Sequence, residues 1–403
     1  MKKLLLFMLV GIFLSSIVSA QYEWYPQLNI PSGVQFNKVH FYNYQNGWAV
    51  ANQRIFHTTD GGLNWNINFQ TIMDVNYNDF IFLDSNHGWV LEEWNLMLKT
   101  NDGGQNWNIN YHPTVSPFTS IQFLDSLNGW LCGWDGIQYT NNGGFNWEQK
   151  DISLSHWNRI FFINSSNGWV VGDSCKVMHT SDGGQTWISQ NSAADNWLNS
   201  VYFSDPFHGC AVGNGEKIIC TTNGGVNWSV SAPTLTSKIL YDVMFLDSLK
   251  GWACGDSGLI IHTSDGGLNW QQESSNFNSK LLSIHFLDSV NGWVSGLNSI
   301  LHTRPMEVGI NSVKNRNDYQ YLFCYSNPFT NLTTINYSLG NSGNVSLRIF
   351  NVFGGELDKL INSYQVIGDY KFDFNSDNLG SGVYYILLQV DGLITTGKMM
   401  VIK

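Results

Sequence analysis

The sequence predicts an all-β protein in which a seven-bladed β-propeller is followed by a small immunoglobulin-like β-sandwich. The first observation is an eight-residue segment that recurs six times, at intervals of about 40 residues. The second is a Phe…Gly-Trp element with seven copies, the fifth of which has Cys in place of Trp. The third is the loss of this period after the seventh copy. Seven four-stranded sheets arranged radially cover each other's faces, which one such sheet cannot do alone.

The eight-residue segment has the pattern Thr-x-[Asp/Asn]-Gly-Gly-x-[Asn/Thr]-Trp, which is typical of a tight turn between two strands. An Asp or Asn side chain accepts hydrogen bonds from nearby backbone N–H groups, and paired glycines adopt positive φ at little cost. The Trp then opens the next strand and buries a large ring. We therefore expect a structural role for the third residue of each copy, namely Asp60, Asp102, Asn142, Asp182, Asn223 and Asp265.

The Phe…Gly-Trp element divides each repeat into four strands, A to D. Strand A ends at the Phe, strand B begins at Gly-Trp, strand C ends at the Thr of the turn, and strand D begins at its Trp. The seventh repeat stops after strand C at Thr303, whereas Trp24 lies 41 residues before Trp65 and is in phase with the repeat. The N-terminal strand is therefore predicted to complete the last blade.

The N-terminus has the features of a secretory signal peptide. Lys2 and Lys3 precede the apolar run Leu4–Val18, and Ser19-Ala20 fits a cleavage site, so residues 1–20 are predicted to be removed. No later run is long enough for a transmembrane helix. The net charge of −11 argues against nucleic acid as a partner. We expect an exported monomer with no membrane span after cleavage.

Residues 304–319 show no pattern and are interpreted as a linker, and residues 320–403 as a second domain. This domain begins near Asn327-Pro328-Phe329, continues through alternating runs such as Thr334–Leu339, and ends in the basic segment Lys398–Lys403. It closely resembles the type A C-terminal sorting domain of the type IX secretion system. The resemblance implies the type IX machinery as a partner, and either release of the passenger or its attachment to the cell surface.

The repeat region, residues 21–303, also carries a resemblance. The eight-residue segment resembles the Asp-box of bacterial neuraminidase repeats, and its combination with Gly-Trp resembles the photosystem II stability and assembly factor family. That family suggests an arginine-rich patch for its partner, but only Arg54 and Arg159 lie inside the ring. Sialidase chemistry needs three arginines around a substrate carboxylate, so that activity is not expected.

Other candidate chemistry is limited. His57, His179, His262 and His302 share one repeat position in different blades, so neither a metal site nor a cofactor is predicted. Asp79 and Asp242 each lie three residues before the Phe of a strand A. These equivalent positions should surround the mouth of the central channel of the propeller. The two aspartates are either the acid and base of a glycoside hydrolase or the counter-charges of Lys38 and Arg159.

The cysteines include one suggestive pair. In the fifth repeat Cys210 replaces the Trp of Gly-Trp. Cys220 occupies the strand-C position, just before the Thr, that holds His in four other repeats. Folding the hairpin places the two opposite each other, and an exported protein permits a disulfide. The other cysteines are expected to be buried thiols, namely Cys132, Cys175, Cys254 and Cys324.

Thirteen of the 17 tryptophans occupy repeat positions, and the remaining four fall in connections that share one face of the propeller. They are Trp94, Trp134, Trp157 and Trp197, with Glu92, Glu93, Asp135 and Asp195 beside them. Exposed aromatics on a rigid scaffold are typical of recognition sites. The alternative is that Trp157 and Trp197 pack between blades. The sequence thus predicts a non-catalytic propeller that binds a polysaccharide or an envelope protein, with a glycoside hydrolase or a structural spacer as alternatives.

Overall fold

A computed structural model describes residues 22–305 and 322–403, apart from residues 28–29, 32, 74, 94–95, 112–115, 152–154, 193–195, 232–237, 326–328 and 340. The described chain is all-β, with three short 3-10 turns at Asp173–Cys175, Asn214–Glu216 and Asp256–Gly258. None of the described helices has the length and hydropathy needed to span a membrane. The chain divides into two compact units, with the boundary between residues 307 and 308.

The first unit contains seven antiparallel four-stranded sheets. Their strands are β1 (Tyr22–Pro26), β2 (Phe36–Phe41), β3 (Gly47–Ala51), β4 (Arg54–Thr58), β5 (Asn66–Gln70), β6 (Tyr77–Phe82), β7 (Gly88–Glu92), β8 (Leu96–Thr100), β9 (Asn108–Tyr111), β10 (Phe118–Phe123), β11 (Gly129–Gly133), β12 (Gly136–Thr140), β13 (Glu148–Asp151), β14 (Trp157–Phe162), β15 (Gly168–Gly172), β16 (Val177–Thr180), β17 (Ile188–Gln190), β18 (Leu198–Phe203), β19 (Gly209–Gly213), β20 (Ile218–Thr221), β21 (Ser229–Ser231), β22 (Leu240–Phe245), β23 (Gly251–Gly255), β24 (Ile260–Thr263), β25 (Gln271–Glu273), β26 (Leu281–Phe286), β27 (Gly292–Gly296) and β28 (Ser299–Pro305).

Sheets 1 to 6 take four consecutive strands each, from β2–β5 to β22–β25, and sheet 7 consists of β26–β28 and β1. In sheet 7, Trp24 lies opposite Thr303, as the phase of the repeat predicts. The Trp24 ring meets Phe286 edge-on at 5.8 Å, as Trp65 meets Phe41 at 5.7 Å in sheet 1. Strand β28 continues to Pro305, past the predicted boundary at residue 303, because β1 pairs with it over that length.

Neighbouring sheets are joined by a repeated aromatic contact. In sheet 1 a side chain on Gly47 would overlap the ring of Phe41, so this strand needs glycine there. The Trp that follows stacks on the strand-A Phe of the next sheet. Six such pairs are present, namely Trp48–Phe82, Trp89–Phe123, Trp130–Phe162, Trp169–Phe203, Trp252–Phe286 and Trp293–Phe41. The last pair joins sheet 7 to sheet 1, and the repeated sheets therefore form a β-propeller.

The six Gly-Gly turns share one hydrogen-bond pattern. In the first, the Thr58 hydroxyl donates to Asp60 and accepts from the N–H of Gly62, each at 2.9 Å. Asp60 also accepts from the N–H of Asn64 at 2.9 Å, and both glycines have positive φ. The corresponding Asp or Asn is engaged in the same way in the other five turns. These side chains are occupied by the turns that they form.

The second unit has seven strands, β29 (Leu322–Tyr325), β30 (Leu332–Leu339), β31 (Gly343–Asn351), β32 (Glu356–Gln365), β33 (Gly368–Asn375), β34 (Gly382–Val390) and β35 (Leu393–Val401). They form a three-stranded sheet, β29-β30-β33, and a four-stranded sheet, β32-β31-β34-β35. Alternate residues of both sheets meet in one core that includes Ile335, Tyr337, Leu347 and Ile386. The alternating runs of the sequence thus become two sheets packed face to face.

Candidate ligand-binding site on the rim face

Antiparallel strand order gives the propeller two different faces. The A–B loops and the Gly-Gly turns lie on one, which we call the turn face. The B–C turns and the D–A connections lie on the other, which we call the rim face, where the inner strands begin around the channel. The described ones among the predicted ligand-binding residues lie in or next to the connections of the rim face. Of the four non-repeat tryptophans, Trp134 and Trp197 are each 50% exposed, and Trp94 lies outside the described residues.

The prediction that Trp157 binds ligand is wrong. Trp157 is the first residue of β14 and is 1% exposed. It packs with Trp130, Ile160 and Val170 in the core between sheets 3 and 4. The same position in other sheets holds a buried residue such as Phe36. Trp157 is therefore a packing residue that fills the start of an inner strand.

Trp134 is held in place by a residue that the sequence reasoning missed. Its indole stacks on the imidazole of His156, with ring centroids 4.5 Å apart and an interplanar angle of 17°. The Nδ1 atom of His156 lies 3.0 Å from a carboxylate oxygen of Asp173. The three side chains come from the B–C turn of sheet 3, the connection before β14 and the B–C turn of sheet 4. They form a stack that bridges two sheets on the rim face.

Backbone hydrogen bonds link the segments beneath this stack. The N–H of Asp173 donates to the carbonyl of His156 at 3.0 Å, and the N–H of Trp134 donates to that of Pro117 at 3.0 Å. Gly172 ends strand β15 directly beside the His156 carbonyl, and any side chain there would overlap it. The glycine thus allows the close approach of the two segments. As a result the orientation of the His156 ring is set by both its backbone and its partner Asp173.

The predicted carboxylates have different environments. Glu92 is the last residue of β7 and is only 3% exposed, and it accepts a hydrogen bond from the N–H of Leu96 at 3.3 Å. It closes its own turn, so its assignment as a ligand-binding residue is wrong. Glu93 and Asp135 are half-buried at the surface, and Glu93 accepts from Asn76 at 3.0 Å. Asp195 lies outside the described residues.

Asp79 belongs to an ion-pair network in the channel. It contacts Lys38, and one of its oxygens lies 3.4 Å from Arg159. The hydroxyl of Ser120 and the N–H of Ile121 each donate to it at 2.9 Å. Burial would raise the pKa of Asp79, but Lys38 and Arg159 outweigh it, and the pKa is lowered. An ionised, fully occupied carboxylate has no proton to donate, which disfavours a role as general acid.

Asp242 is engaged in a similar way. The hydroxyl of Ser200 donates to it at 2.7 Å, and the N–H groups of Val243 and Ile284 donate at 3.0 and 3.1 Å. Ser200 and Ile284 belong to the two neighbouring sheets, so this carboxylate ties three sheets together. The arrangement of both aspartates is that of structural links, and the glycoside hydrolase alternative is not favoured.

Near Lys38 and Arg159, the imidazoles of His40 and His285 face each other with ring centroids 4.3 Å apart. The Nε2 atom of His285 lies 2.8 Å from the carbonyl oxygen of Phe41 in the neighbouring sheet. Burial lowers the pKa of His285 to about 4. Within the described part of the chain, no three His, Cys, Asp or Glu side chains are grouped so as to hold a metal ion.

Cys210 and Cys220 form a disulfide across directly paired positions of β19 and β20. In sheets 1, 4 and 7 these two positions hold a stacked Trp–His pair. The Sγ atom of Cys210 lies 3.9 Å from the carbonyl of Gly266 in sheet 6, where a Trp would otherwise reach. Among the free cysteines Cys132 and Cys254 are buried, whereas Cys175 and Cys324 are only partly buried, contrary to the expectation for those two.

The fold and its repeated turns define the first unit as a β-propeller built from a short turn-and-tryptophan repeat. Residues 17–113, 109–191 and 233–314 match the family model of the photosynthesis system II assembly factor YCF48, and the chain belongs to this family. Residues 324–403 match the model of the secretion system C-terminal sorting domain. This domain indicates export, with a cell-surface or secreted location.

Individual relatives agree with the family match. The photosystem II assembly lipoprotein Ycf48 of Synechococcus sp. (strain CC9902) is 31% identical over 72 residues, which is 17% of this chain. That match spans 22% of the length of the curated relative.

Solved structures show the same fold. A structure of YCF48 bound to D1 peptide aligns with a TM-score of 0.61 and 22% identity, covering 72% of this chain and 97% of that one. PorZ, an essential bacterial surface component of the type IX secretion system of Porphyromonas gingivalis, aligns with a TM-score of 0.54 and 14% identity. That alignment covers 94% of this chain and 61% of PorZ.

Proposed function

We propose that this protein is a non-catalytic binding propeller that the type IX secretion system delivers to the cell surface. In this proposal the rim face of sheets 3 to 5 binds a macromolecule, either a polysaccharide or another protein of the cell envelope. The propeller has seven blades, and the N-terminal strand closes the last one. Residues 1–20 are the signal peptide, residues 320–403 form an immunoglobulin-like sorting domain, and the exported chain is a monomer.

The observation that carries the proposal is the exposure of Trp134. Ten of the thirteen tryptophans that the repeat requires are buried and the other three are half-buried, whereas Trp134 presents half of its surface to solvent and stacks on His156. Ordering a large aromatic side chain before binding reduces the entropy that binding costs. Trp197 lies directly before β18 with the same exposure and extends the surface toward sheet 5.

The family supports a binding role in assembly. YCF48 has been solved with a bound peptide, and PorZ is a surface component of the type IX system. An arginine patch of the kind that the family suggests is not supported here. Of the two ring arginines, Arg159 is committed to the channel aspartate, and Arg54 lies in strand β4. A partner that needs several arginines is thus a poor fit for this chain.

The binding proposal is tested with envelope fractions from a bacterium that has a type IX system. Mature full-length protein is incubated with whole envelope, with protease-treated envelope and with deglycosylated envelope, and the bound protein is quantified. We expect retention on at least one fraction, together with its loss in a Trp134→Ala/Trp197→Ala double variant that still folds. Equal retention of the double variant contradicts the proposed face.

The export proposal is tested by deleting residues 320–403. We expect the truncated protein to accumulate in the periplasm as folded propeller, because the sorting domain is the part that the type IX machinery reads. The control is a chain of the same length with residues 1–20 intact and an unrelated domain in place of residues 320–403. Surface delivery of either chain contradicts the sorting assignment.

A further inference from the structure

We infer that the Trp134 platform binds a sugar ring of an uncharged polysaccharide. This inference rests on the proposed function and chooses between its two classes of ligand. The platform consists of Trp134, the supporting pair His156 and Asp173, and the flanking carboxylates Glu93 and Asp135.

The first argument is the shape of the platform. One face of the Trp134 indole is covered by the His156 imidazole, and half of the side chain remains exposed. The face of an indole carries negative electrostatic potential. The C–H groups on the flat side of a pyranose ring carry small positive charges, so the ring stacks on that face. A planar, single-sided and rigid aromatic surface is the shape that such a ring requires.

The second argument is the chemistry around the indole. Asp135 follows Trp134 in the same turn, and Glu93 occupies the corresponding turn of the neighbouring sheet. Ionised carboxylates are acceptors only, and sugar hydroxyls are good donors to them. The same carboxylates repel uronates, sialates and phosphates. Lys176, on the adjacent turn, donates one hydrogen bond to the Ser155 hydroxyl at 2.5 Å and keeps its positive charge, but the three carboxylates of the platform outnumber it.

The third argument separates a sugar from a protein partner. Protein interfaces bury a contiguous apolar centre with a polar rim. In the described rim-face connections of sheets 3 to 5, Trp134 and Trp197 are the exposed large apolar side chains, and polar residues surround them. The turn face is different, because its loops expose Leu127, Phe145, Phe207, Val226, Leu249 and Leu268. Isolated aromatics among polar groups fit a hydrated glycan better than a protein surface.

The experiment uses mature full-length protein and an array of neutral hexasaccharides, including β-1,4-glucan and chitin fragments, beside alginate and polygalacturonate hexasaccharides. Hits are measured by titration calorimetry. We expect binding to neutral members, with Trp134→Ala weakening the affinity by about 10- to 100-fold. Trp134→Phe retains more affinity than Trp134→Ala, because a smaller aromatic face remains. Phe145→Ala, an exposed aromatic of the same sheet on the turn face, leaves the affinity unchanged.

The outcomes are distinguishable. Binding confined to acidic sugars overturns the inference about charge, and equal binding by Trp134→Ala overturns the site. Retention on envelope protein without any glycan binding overturns the inference and leaves the proposed function standing. Failure to bind both the glycans and every envelope fraction overturns the two together.

Discussion

Two tryptophans of one hairpin, Trp130 and Trp134, have opposite environments. Trp130 is 2% exposed, stacks on Phe162 of the next sheet at 3.9 Å and donates to the carbonyl of Gly183 at 3.2 Å. Trp134, four residues later, is 50% exposed and stacks on His156. The first occupies a position that recurs around the ring, whereas the second lies in a B–C turn, outside the positions that the repeat requires. The comparison indicates that the repeat uses tryptophan to join sheets, whereas the exposed Trp134 is the tryptophan to which we assign recognition.

The largest expected effect is on the buried member of this pair. Trp130→Ala removes the stack on Phe162 and leaves a cavity between sheets 3 and 4, and we expect a loss of about 3–5 kcal/mol in the free energy of unfolding. Urea unfolding of the full chain, followed by circular dichroism, measures this. Trp130→Phe is the control, and it should lose clearly less because an aromatic ring still fills the space. A loss below about 1 kcal/mol for Trp130→Ala would show that the interface collapses around the gap.

The interface between sheets 5 and 6 offers a second comparison, because a disulfide stands where the other interfaces have tryptophan. Breaking Cys210–Cys220, which are 10 residues apart, should cost about 3 kcal/mol through the loop-closure entropy of the unfolded chain. Urea unfolding of Cys210→Ser/Cys220→Ser measures this loss. The unmodified protein in reducing agent should match the double variant. Equal stability of the oxidised protein and the double variant would contradict a stabilising bridge.

Acid should weaken the inner wall of the channel. The pKa of His285 is about 4 in the fold, against 6.5 for an ordinary histidine. Between these values the unfolded chain binds more protons than the folded chain, so stability falls as pH falls through this window. From pH 7 to pH 5 we expect His285 to account for a loss of about 1–2 kcal/mol. The pKa of His40 is also lowered by burial, which adds to the effect in the same direction.

His285→Gln sharpens this test with a residue that another sheet already uses. Gln122 holds the corresponding position in sheet 3 and donates to the carbonyl of Phe162 at 2.8 Å, as His285 contacts that of Phe41. The variant should therefore fold and be less sensitive to pH between 7 and 5. Urea midpoints at the two pH values give the comparison. An unchanged pH dependence would mean that His285 does not titrate as its environment implies.

Much of this architecture follows from the sequence, because the repeat imposes one contact pattern on every sheet. The Gly-Gly turns and the seven Gly-Trp or Gly-Cys elements are periodic. When the repeats are compared with each other, Cys210 and Cys220 are seen to replace a Trp and a His in the same repeat. The phase of Trp24 likewise predicts its pairing with Thr303.

The site was less predictable, because single residues decide it. Trp157 begins an inner strand and is buried, whereas Trp197 lies one residue before such a strand and is exposed. Strand alternation reverses the direction of a side chain between adjacent positions, and the boundary of a strand is uncertain from sequence. His156 occupies the position that corresponds to Trp197, directly before an inner strand. This correspondence is the sequence feature that could have marked His156 as a residue of the site. Its stacking on Trp134 joins two sheets and depends on how they pack.

The smallest expected effect on stability, and the central test, concerns Trp134. Trp130→Ala and Trp134→Ala are compared in the full mature chain by two readings, the urea midpoint and the capture of envelope polysaccharide. The account predicts that Trp134→Ala changes the unfolding free energy by less than about 0.5 kcal/mol, as for other surface substitutions, while capture is lost. It predicts a large stability loss for Trp130→Ala, with capture retained by the fraction that remains folded. A Trp134→Ala variant that is strongly destabilised, or one that captures as well as the unmodified protein, would contradict the separation of structural and recognition tryptophans.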